Sequence, residues 1–275
     1  MTKYKVKKIL NNNVVIAQHN NSEVILVGKA IGYDFSKKSV IPTERIENVF
    51  IKQVEEVGSN YIKLLQTIDS NIIGVSEEII SFCERELNIN LSEAIHVSLP
   101  DHINFAIRRI EQGVDIENPF LNELKVLYTK EYNLASKALI IINERFNMNL
   151  PEDEIGFICL HIRAAITKET VIEPLAYTRK LGEVMELISS SLNKKLPKSS
   201  LEYTRTITHL NFMIKRVLSG KSVKNQLLDS VKNTLYNEYE IAKNVSKKIE
   251  ELFSVIVPED EIGYIAIHLK RLTEV

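Results

Sequence analysis

The sequence predicts a multidomain protein, in which a small all-β antiparallel domain precedes two homologous all-α helical-bundle domains. The segment PEDEIGFICLHI at residues 151–162 returns at 258–269 as PEDEIGYIAIHL, an offset of 107 residues. A fixed offset of this length indicates that a small domain was duplicated. Before the duplicated part, apolar and polar residues alternate with the period of β-strands. The expected domains are therefore residues 1–57, 61–171 and 172–275.

The N-terminal domain is expected to contain four short strands. Alternation predicts them at residues 4–10, 14–18, 23–27 and 45–52, and asparagine-rich turns separate the first three. Residues 28–32, with two glycines, are expected to end the third strand. A sheet this small has little core, so dimerisation is expected.

Helical periodicity begins after the linker at about residue 60. Ser76 is expected to be the N-cap of a helix over residues 77–87, and Pro100 to break the run that precedes His102. Residues 122–146 carry apolar side chains at helical spacing, and Pro151 is expected to open the repeated helix. The same offset aligns DHINFAIRR at residues 101–109 with THLNFMIKR at residues 208–216.

Composition and charge indicate a soluble protein with an anionic partner. The chain is 44% hydrophobic and 26% charged, without a signal peptide or an apolar run of membrane-spanning length, so a cytoplasmic location is expected. Cys83 and Cys159 are expected to be reduced core residues. Residues 1–54 carry nine Lys or Arg and four Asp or Glu, a net charge of +5 in a chain of net charge −1. This basic domain is expected to meet a polyanion, unless the imbalance is a chance fluctuation.

Four histidines recur in register in the two repeats: His102 and His161, then His209 and His268. Three interpretations compete. The histidines could be satisfied side chains inherited from the parent fold, or ligands of a zinc ion, although neither pair has the local spacing of zinc sites. They could also accept phosphoryl groups, because neutral imidazole is a good nucleophile and nearby arginines can bind the phosphate.

The motifs together resemble the BglG/SacY family of transcriptional antiterminators, over the whole chain. The resemblance rests on VKKILNNNVVIA in the basic domain and on the paired histidines in DHINFAIRR and PEDEIGFICLHI. The N-terminal domain is similar to co-antiterminator RNA-binding domains, and each helical unit is similar to phosphotransferase-system regulation domains. The sequence of the first 32 residues, together with HLKRLT near the end of the chain, is most similar to the sequences of glucose-operon antiterminators.

The resemblance implies a regulator and not an enzyme, without a cofactor or a metal. As a homodimer it would bind an RNA antiterminator hairpin in a leader transcript and so prevent the terminator from forming. Histidine phosphorylation by phosphotransferase-system components, the sugar-specific enzyme II and phospho-HPr, would control it. It implies phosphorylation sites at His102, His161, His209 and His268.

Matching the family pattern also implies an RNA-binding set, which comprises Lys5, Lys8, Asn11, Asn13, Gly28, Lys29 and Tyr33. Lysines suit phosphates, asparagines suit base or ribose edges, and an aromatic ring can stack on a base. The asparagines could instead be turn residues, and Tyr33 could be core. Phe35 competes with Tyr33 for the stacking role, because Asp34-Phe35-Ser36 separates Tyr33 from Lys37. Lysine at position 29, where the family often has arginine, loses a bidentate fork.

The alternative is a DNA-binding transcriptional activator with the same regulation domains. Such a protein would carry a helix-turn-helix domain at its N-terminus, whereas this domain alternates with period two.

Overall fold

The computed structural model describes residues 4–9, 12, 14–20, 22–28, 30–46, 48–51, 67–221 and 223–274. The N-terminal domain is an antiparallel sheet in the order β4-β1-β2-β3-β5. Its elements are β1 (Tyr4–Ile9), β2 (Val14–His19), β3 (Ser22–Val27), a short helix α1 (Ile31–Asp34), β4 (Val40–Ile41) and β5 (Asn48–Ile51). Its core joins one face of the sheet to α1 through Tyr4, Val6, Val15, Ala17, Val24, Leu26, Ile31 and Ile41.

Three of the predicted strands are present, and the fourth differs from the prediction. Thr43–Arg45 forms a 3-10 turn, so the strand begins only at Asn48. Neither α1 nor the two-residue strand β4 was predicted, because elements this short carry no periodicity. Ala30, with a φ of 56°, supplies the left-handed residue from which α1 starts.

The helices form two compact units. One unit contains residues 1–118 and 130–171, and the other contains residues 119–129 and 172–275. The first contains, besides the sheet, α2 (Ser70–Leu87), α3 (Ile95–Glu111), α5 (Thr129–Phe146) and α6 (Asp153–Thr167). The second contains α4 (Leu121–Leu127), α7 (Ile172–Ser191), α8 (Leu201–Leu218), α9 (Leu228–Thr234), α10 (Tyr236–Phe253) and α11 (Glu259–Thr273). The predicted fold class, a small antiparallel sheet followed by two helical repeats, is confirmed.

Helix α4 lies between α3 and α5 in the sequence but belongs to the second unit, where it packs against α7 and α8. Its Glu123 is completely buried and accepts a hydrogen bond from the Tyr203 hydroxyl at 2.6 Å. Lys198 pairs with the same carboxylate at 2.7 Å. Its counterpart in the second repeat, α9, packs instead against α10 and α11.

Three helix predictions were wrong in detail. The N-cap of α2 is Asp69, not Ser76, which is buried inside the helix and donates to the Ile72 carbonyl. Helix α3 continues through Pro100, since a proline near the start removes one hydrogen bond while its buried ring packs in the core. Residues 122–146 divide into α4 and α5, because the backbone of Tyr128 leaves the helical region.

The repeated motif begins its two helices in the same way. Pro151 and Pro258 lie just before α6 and α11, and their carbonyls accept from the amides of Glu154 and Glu261. Asp153 and Asp260 accept from the backbone amides of Asn118 and Asn225, a pair that also lies 107 residues apart.

The interior of each unit is mainly apolar with a few buried charged side chains, and Cys83 and Cys159 are fully buried free thiols, as predicted. Burial, assisted by Glu84 and Glu86, raises the pKa of Cys83 to about 12. Within the described residues, no helix has the length and apolar character needed to cross a membrane.

Candidate functional site

The first candidate site is the lysine-bearing surface of the sheet. Lys5 and Lys8 on β1 are exposed, and a β-bulge between Val6 and Lys8 shifts the register of β1 against β2. Lys7 is exposed by the same alternation as Lys5, and Lys8 is exposed after the bulge, so three neighbouring cations line this strand. Lys7 was missed although its alternation with Lys5 and Val6 indicated that it is exposed.

Tyr33 and Phe35, the two candidates for base stacking, differ in exposure. Tyr33 lies on α1 and is 78% exposed, whereas Phe35 is partly buried against the core of the sheet. The alternative that Tyr33 is a core residue is therefore wrong, and its ring is available to a partner.

Gly28 is buried and is needed by the fold itself. A Cβ at this position would collide with the Arg45 carbonyl oxygen, so Gly28 permits a close approach between two segments of the same domain. Arg45 also pairs with Asp34 at the end of α1. The other three predicted RNA-binding residues, Asn11, Asn13 and Lys29, lie outside the described residues.

The second candidate site is the histidine pair of the first repeat. Helix α3 packs against α6, which brings His102 and His161 together with ring centroids 4.9 Å apart. Nε2 of His102 donates to Oε2 of Glu154 at 2.7 Å, and Nδ1 of His161 lies 3.2 Å from Oγ of Ser98. Since the carboxylate fixes the proton on Nε2, the lone pair of His102 is on Nδ1.

The second repeat brings its histidines together in the same way. His209 on α8 and His268 on α11 have ring centroids 4.0 Å apart. They line a cavity of about 270 Å³ together with Arg216 and Glu261. His209 is exposed, and His268 is partly buried. The spacing of 59 residues therefore places each sequence pair on facing helices.

One histidine of each pair is held neutral. Burial and the neighbouring His102 lower the pKa of His161 to about 3. Burial, His209 and Arg271 lower the pKa of His268 to about 4. Both side chains therefore carry a nucleophilic lone pair at neutral pH.

His96, which has no histidine counterpart in the second repeat, has a different environment. Its Nδ1 lies 2.9 Å from both carboxylate oxygens of Glu77, and both side chains are buried. Burial by itself would lower the pKa of His96, but the Glu77 carboxylate, with smaller contributions from Glu84 and Glu93, outweighs burial, and the pKa is raised. This is a structural ion pair.

A buried glutamate lies beside each histidine pair, Glu154 in the first repeat and Glu261 in the second. Within the described part of the chain, no three His, Cys, Asp or Glu side chains come together so as to hold a metal ion. Sequence reasoning missed the residues that surround the histidines, namely Ser98, Glu154 and Glu261. A signal was present for the two glutamates, which repeat at one position of the motif but read as ordinary residues of a helix start.

Comparisons with known proteins match the N-terminal domain to one family model and each of the two helical repeats to another. Residues 4–58 match the CAT RNA binding domain, and residues 77–165 and 182–272 match the PRD domain. The structure is also similar to that titled "Crystal structure of GlcT CAT-PRDI", with 43% identity and a TM-score of 0.54, over 60% of this chain and 99% of that one.

Curated relatives match along the whole chain. It is 34% identical to Transcription antiterminator LicT of Bacillus subtilis (strain 168), over 98% of this chain and 99% of the relative. It is 37% identical to the PtsGHI operon antiterminator of the same organism, over 98% and 97%. Protein GlcT of Staphylococcus haemolyticus (strain JCSC1435) is 34% identical, over 98% of this chain and 96% of the relative. Because LicT and this GlcT have the same identity to the chain, membership of the glucose-operon subgroup stays a prediction. The sheet with its exposed lysines, the two paired-histidine repeats and these matches together show that the chain belongs to the family of transcription antiterminators with a CAT RNA binding domain and two PRD domains.

Proposed function

We propose that this antiterminator binds an RNA hairpin in a leader transcript through the exposed face of its sheet, and that the bound hairpin excludes an overlapping terminator. The observation that carries this proposal is the exposed cluster Lys5, Lys7 and Lys8 on a domain with a net charge of +5 over residues 1–54. Clustered lysines release counterions from a phosphate backbone, which favours a nucleic acid as partner.

The proposed contacts divide by chemistry. Lys5, Lys8 and Lys29 meet phosphates, Asn11 and Asn13 meet base or ribose edges, and Tyr33 stacks on an unpaired base. The exposure of Tyr33 and the partial burial of Phe35 favour Tyr33 for stacking. The packing of Gly28 against Arg45 favours a supporting role for the glycine, which shapes the loop that precedes Tyr33.

The regulatory part of the proposal is that His102, His161, His209 and His268 accept phosphoryl groups from phosphotransferase-system proteins. The donors would be phospho-HPr and a sugar-specific enzyme II, so the protein would act in the cytoplasm in response to a sugar. Each phosphoryl group adds a charge of about −1.5 to −2. In the proposed homodimer, such charges on facing repeats would repel each other and shift the equilibrium between arrangements of the dimer.

Selection of RNA from a random pool by the whole protein tests the RNA-binding part. A structured hairpin consensus is expected, and enrichment of a duplex DNA site instead would favour a DNA-binding activator.

Tyr33→Ala is expected to weaken binding of the selected hairpin by about 1–3 kcal/mol. Lys8→Ala is expected to weaken binding evenly across hairpins and to flatten its salt dependence, whereas Lys168→Ala, an exposed lysine of the first repeat, is the matched control.

Replacement of the first histidine pair tests the regulatory part. With His102→Ala and His161→Ala together, expression of an antitermination reporter is expected to stop responding to the sugar. Lys168→Ala, an exposed residue of the first repeat outside the pair, is the control. A response that survives the double replacement would show that the first repeat is not the sensor.

A further inference from the structure

The two repeats use one buried carboxylate in different ways. Glu154 and Glu261 occupy the same position of the motif and are 2% and 0% exposed. Glu154 accepts from His102. Glu261 accepts instead from Arg216, from Nε at 2.7 Å and from Nη2 at 2.8 Å. The counterpart of Arg216 in the first repeat is Arg109, which donates to the Asp115 carbonyl at 2.5 Å.

This difference places an oriented guanidinium in the cavity of the second histidine pair. Arg216 and Glu261 line the same cavity of about 270 Å³ as His209 and His268. The Arg216 side chain is 31% exposed, so it is held by a buried carboxylate and still reaches solvent. Its orientation is fixed before any anion arrives, which reduces the entropy lost when an anion binds.

The charges of the cavity suit a phosphoryl group. Arg216 and Glu261 neutralise each other, and the lowered pKa of His268 leaves that ring uncharged at neutral pH. A guanidinium has five N–H donors, of which Glu261 engages the one on Nε and one of the two on Nη2, so Nη1 can donate to phosphate oxygens while the pair with Glu261 remains. Arg271 adds a second positive charge that acts on His268.

We propose that Arg216, oriented by Glu261, is the positioning residue that binds the phosphoryl group carried by the His209–His268 pair, and that its counterpart in the first repeat, Arg109, does not take this role. This inference rests on the proposed phosphorylation of the second repeat. The lone pair of an imidazole nitrogen forms the N–P bond as the bond from phosphorus to the donor nitrogen breaks. With phosphoramidate as donor, ammonia leaves with that electron pair, and the dianionic phosphoryl group remains on a positively charged imidazole.

The experiment follows the whole protein after treatment with potassium phosphoramidate, by phosphorus NMR over a pH series. His209→Ala and His268→Ala assign the resonance of the second repeat. A cation bound to the phosphoryl oxygens disfavours both a proton on those oxygens and the positive charge on the ring, and so lowers the pKa observed at the phosphorus resonance. Loss of Arg216 is therefore expected to raise this pKa by about 1 unit, at the lower end of the range for a close opposite charge because the site is partly exposed.

The decisive comparison is between Glu261→Gln, which keeps Arg216, and Glu261→Gln with Arg216→Gln. The double replacement leaves no buried carboxylate without a partner, so it is expected to fold, which circular dichroism checks. Arg216→Lys, which keeps the charge but loses the fork, is expected to raise the pKa by less than the double replacement. Arg109→Gln is the matched control, and it is expected to leave the phosphoryl resonances of the first repeat unchanged.

The outcomes separate the inference from the function on which it rests. If the second repeat is phosphorylated but its phosphoryl pKa is equal with and without Arg216, the inference is wrong and the proposed phosphorylation stands. If neither His209 nor His268 accepts a phosphoryl group, both are overturned. An equal response to Arg109→Gln in the first repeat would contradict the proposed difference between the repeats.

Discussion

The two helical repeats share a frame and differ in the polar contacts placed on it. Tyr132 and Tyr239 donate to Glu152 and Glu259, at 3.5 Å and 3.2 Å, at equivalent positions of the two repeats. The histidine pairs also recur, but their partners do not. Ser98, which lies near His161, corresponds to Arg205 in the second repeat. Glu154 binds His102 in the first repeat, whereas its counterpart Glu261 binds Arg216 in the second. Duplication preserved the packing of the helices that carry the histidines, whereas the side chains that set the chemistry of each histidine diverged.

A second difference concerns the position held by His96 in the first repeat and Tyr203 in the second. Both side chains bind a buried carboxylate, which comes from Glu77 on α2 in one unit and from Glu123 on α4 in the other. His96 with Glu77 is a buried ion pair, whereas Tyr203 gives a neutral hydrogen bond to a carboxylate that Lys198 already pairs. Each repeat therefore pairs the side chain at this position with a buried carboxylate, but the type of contact and the helix that supplies the carboxylate differ.

The largest expected effect comes from breaking the first of these contacts. His96→Ala is expected to lower the free energy of unfolding by about 3 kcal/mol, because it removes the charged partner of a buried carboxylate. Tyr203→Phe is expected to cost about 1 kcal/mol, because Lys198 still pairs with Glu123. Urea unfolding followed by circular dichroism measures both, with Tyr236→Phe, an exposed tyrosine of α10, as the control. Equal costs would show that the two contacts are energetically alike.

A smaller effect, on the rate of phosphorylation, is expected from changing the two glutamates that occupy the same position of the repeated motif. Glu154→Gln is expected to slow phosphorylation of His102 by phosphoramidate about tenfold, since a hydrogen bond to a charged group contributes about 1.5 kcal/mol. The neutral amide no longer stabilises positive charge on the ring as the N–P bond forms. Glu261→Gln is expected to slow phosphorylation of His209 by much less, because Glu261 acts on that site only through the orientation of Arg216. Site-resolved mass spectrometry over time compares the two rates, and parallel slowing would refute the assigned difference.

The smallest expected effect is on the pH dependence of stability. The pKa of His161 and of His268 is about 3 and about 4 in the folded protein, below the ordinary value of 6.5. Between these values the unfolded chain binds more protons, so stability is lost as the pH falls from about 6.5 towards 4. His161→Gln is expected to flatten this loss by less than about 1.4 kcal/mol per pH unit, and His268→Gln by less than that.

Thermal unfolding at a series of pH values measures these slopes. The groups that face the two rings are Ser98 and His102 for His161, and His209 and Arg271 for His268. His96→Gln is expected to act in the opposite direction, because the pKa of His96 is raised and its contribution is lost as the pH rises. A steeper acid loss in His161→Gln would contradict the assignment.

Duplication made much of the helical fold predictable. Two sequence copies that agree at His102 and His209, and at His161 and His268, identify residues that share a place in the fold, and the structure brings each pair together. The sheet was predictable where strands alternate for six residues, but not at the two-residue strand β4 or at the bulge beside Lys8.

The partners of the histidines could not be predicted, because contacts between distant helices leave no local pattern. Glu154 and Glu261 have identical sequence surroundings, yet one binds a histidine and the other an arginine. The choice depends on the side-chain directions of Arg109 and Arg216, which are set by loops and packing outside the motif. The helical course of Pro100 likewise depends on tertiary packing that outweighs local propensity.

Helix α4 limits how far the duplicated halves can be treated as interchangeable modules. A protein that begins at residue 172 would match the second repeat in sequence but would lack Glu123, to which Tyr203 and Lys198 bind. It would also lose Phe120, which lies 3.6 Å from the site of a Cβ on Gly182. Swapping or truncating repeats at the sequence boundary therefore removes part of one unit's interior, and recombination that preserves folding has to carry residues 119–129 along with the second repeat.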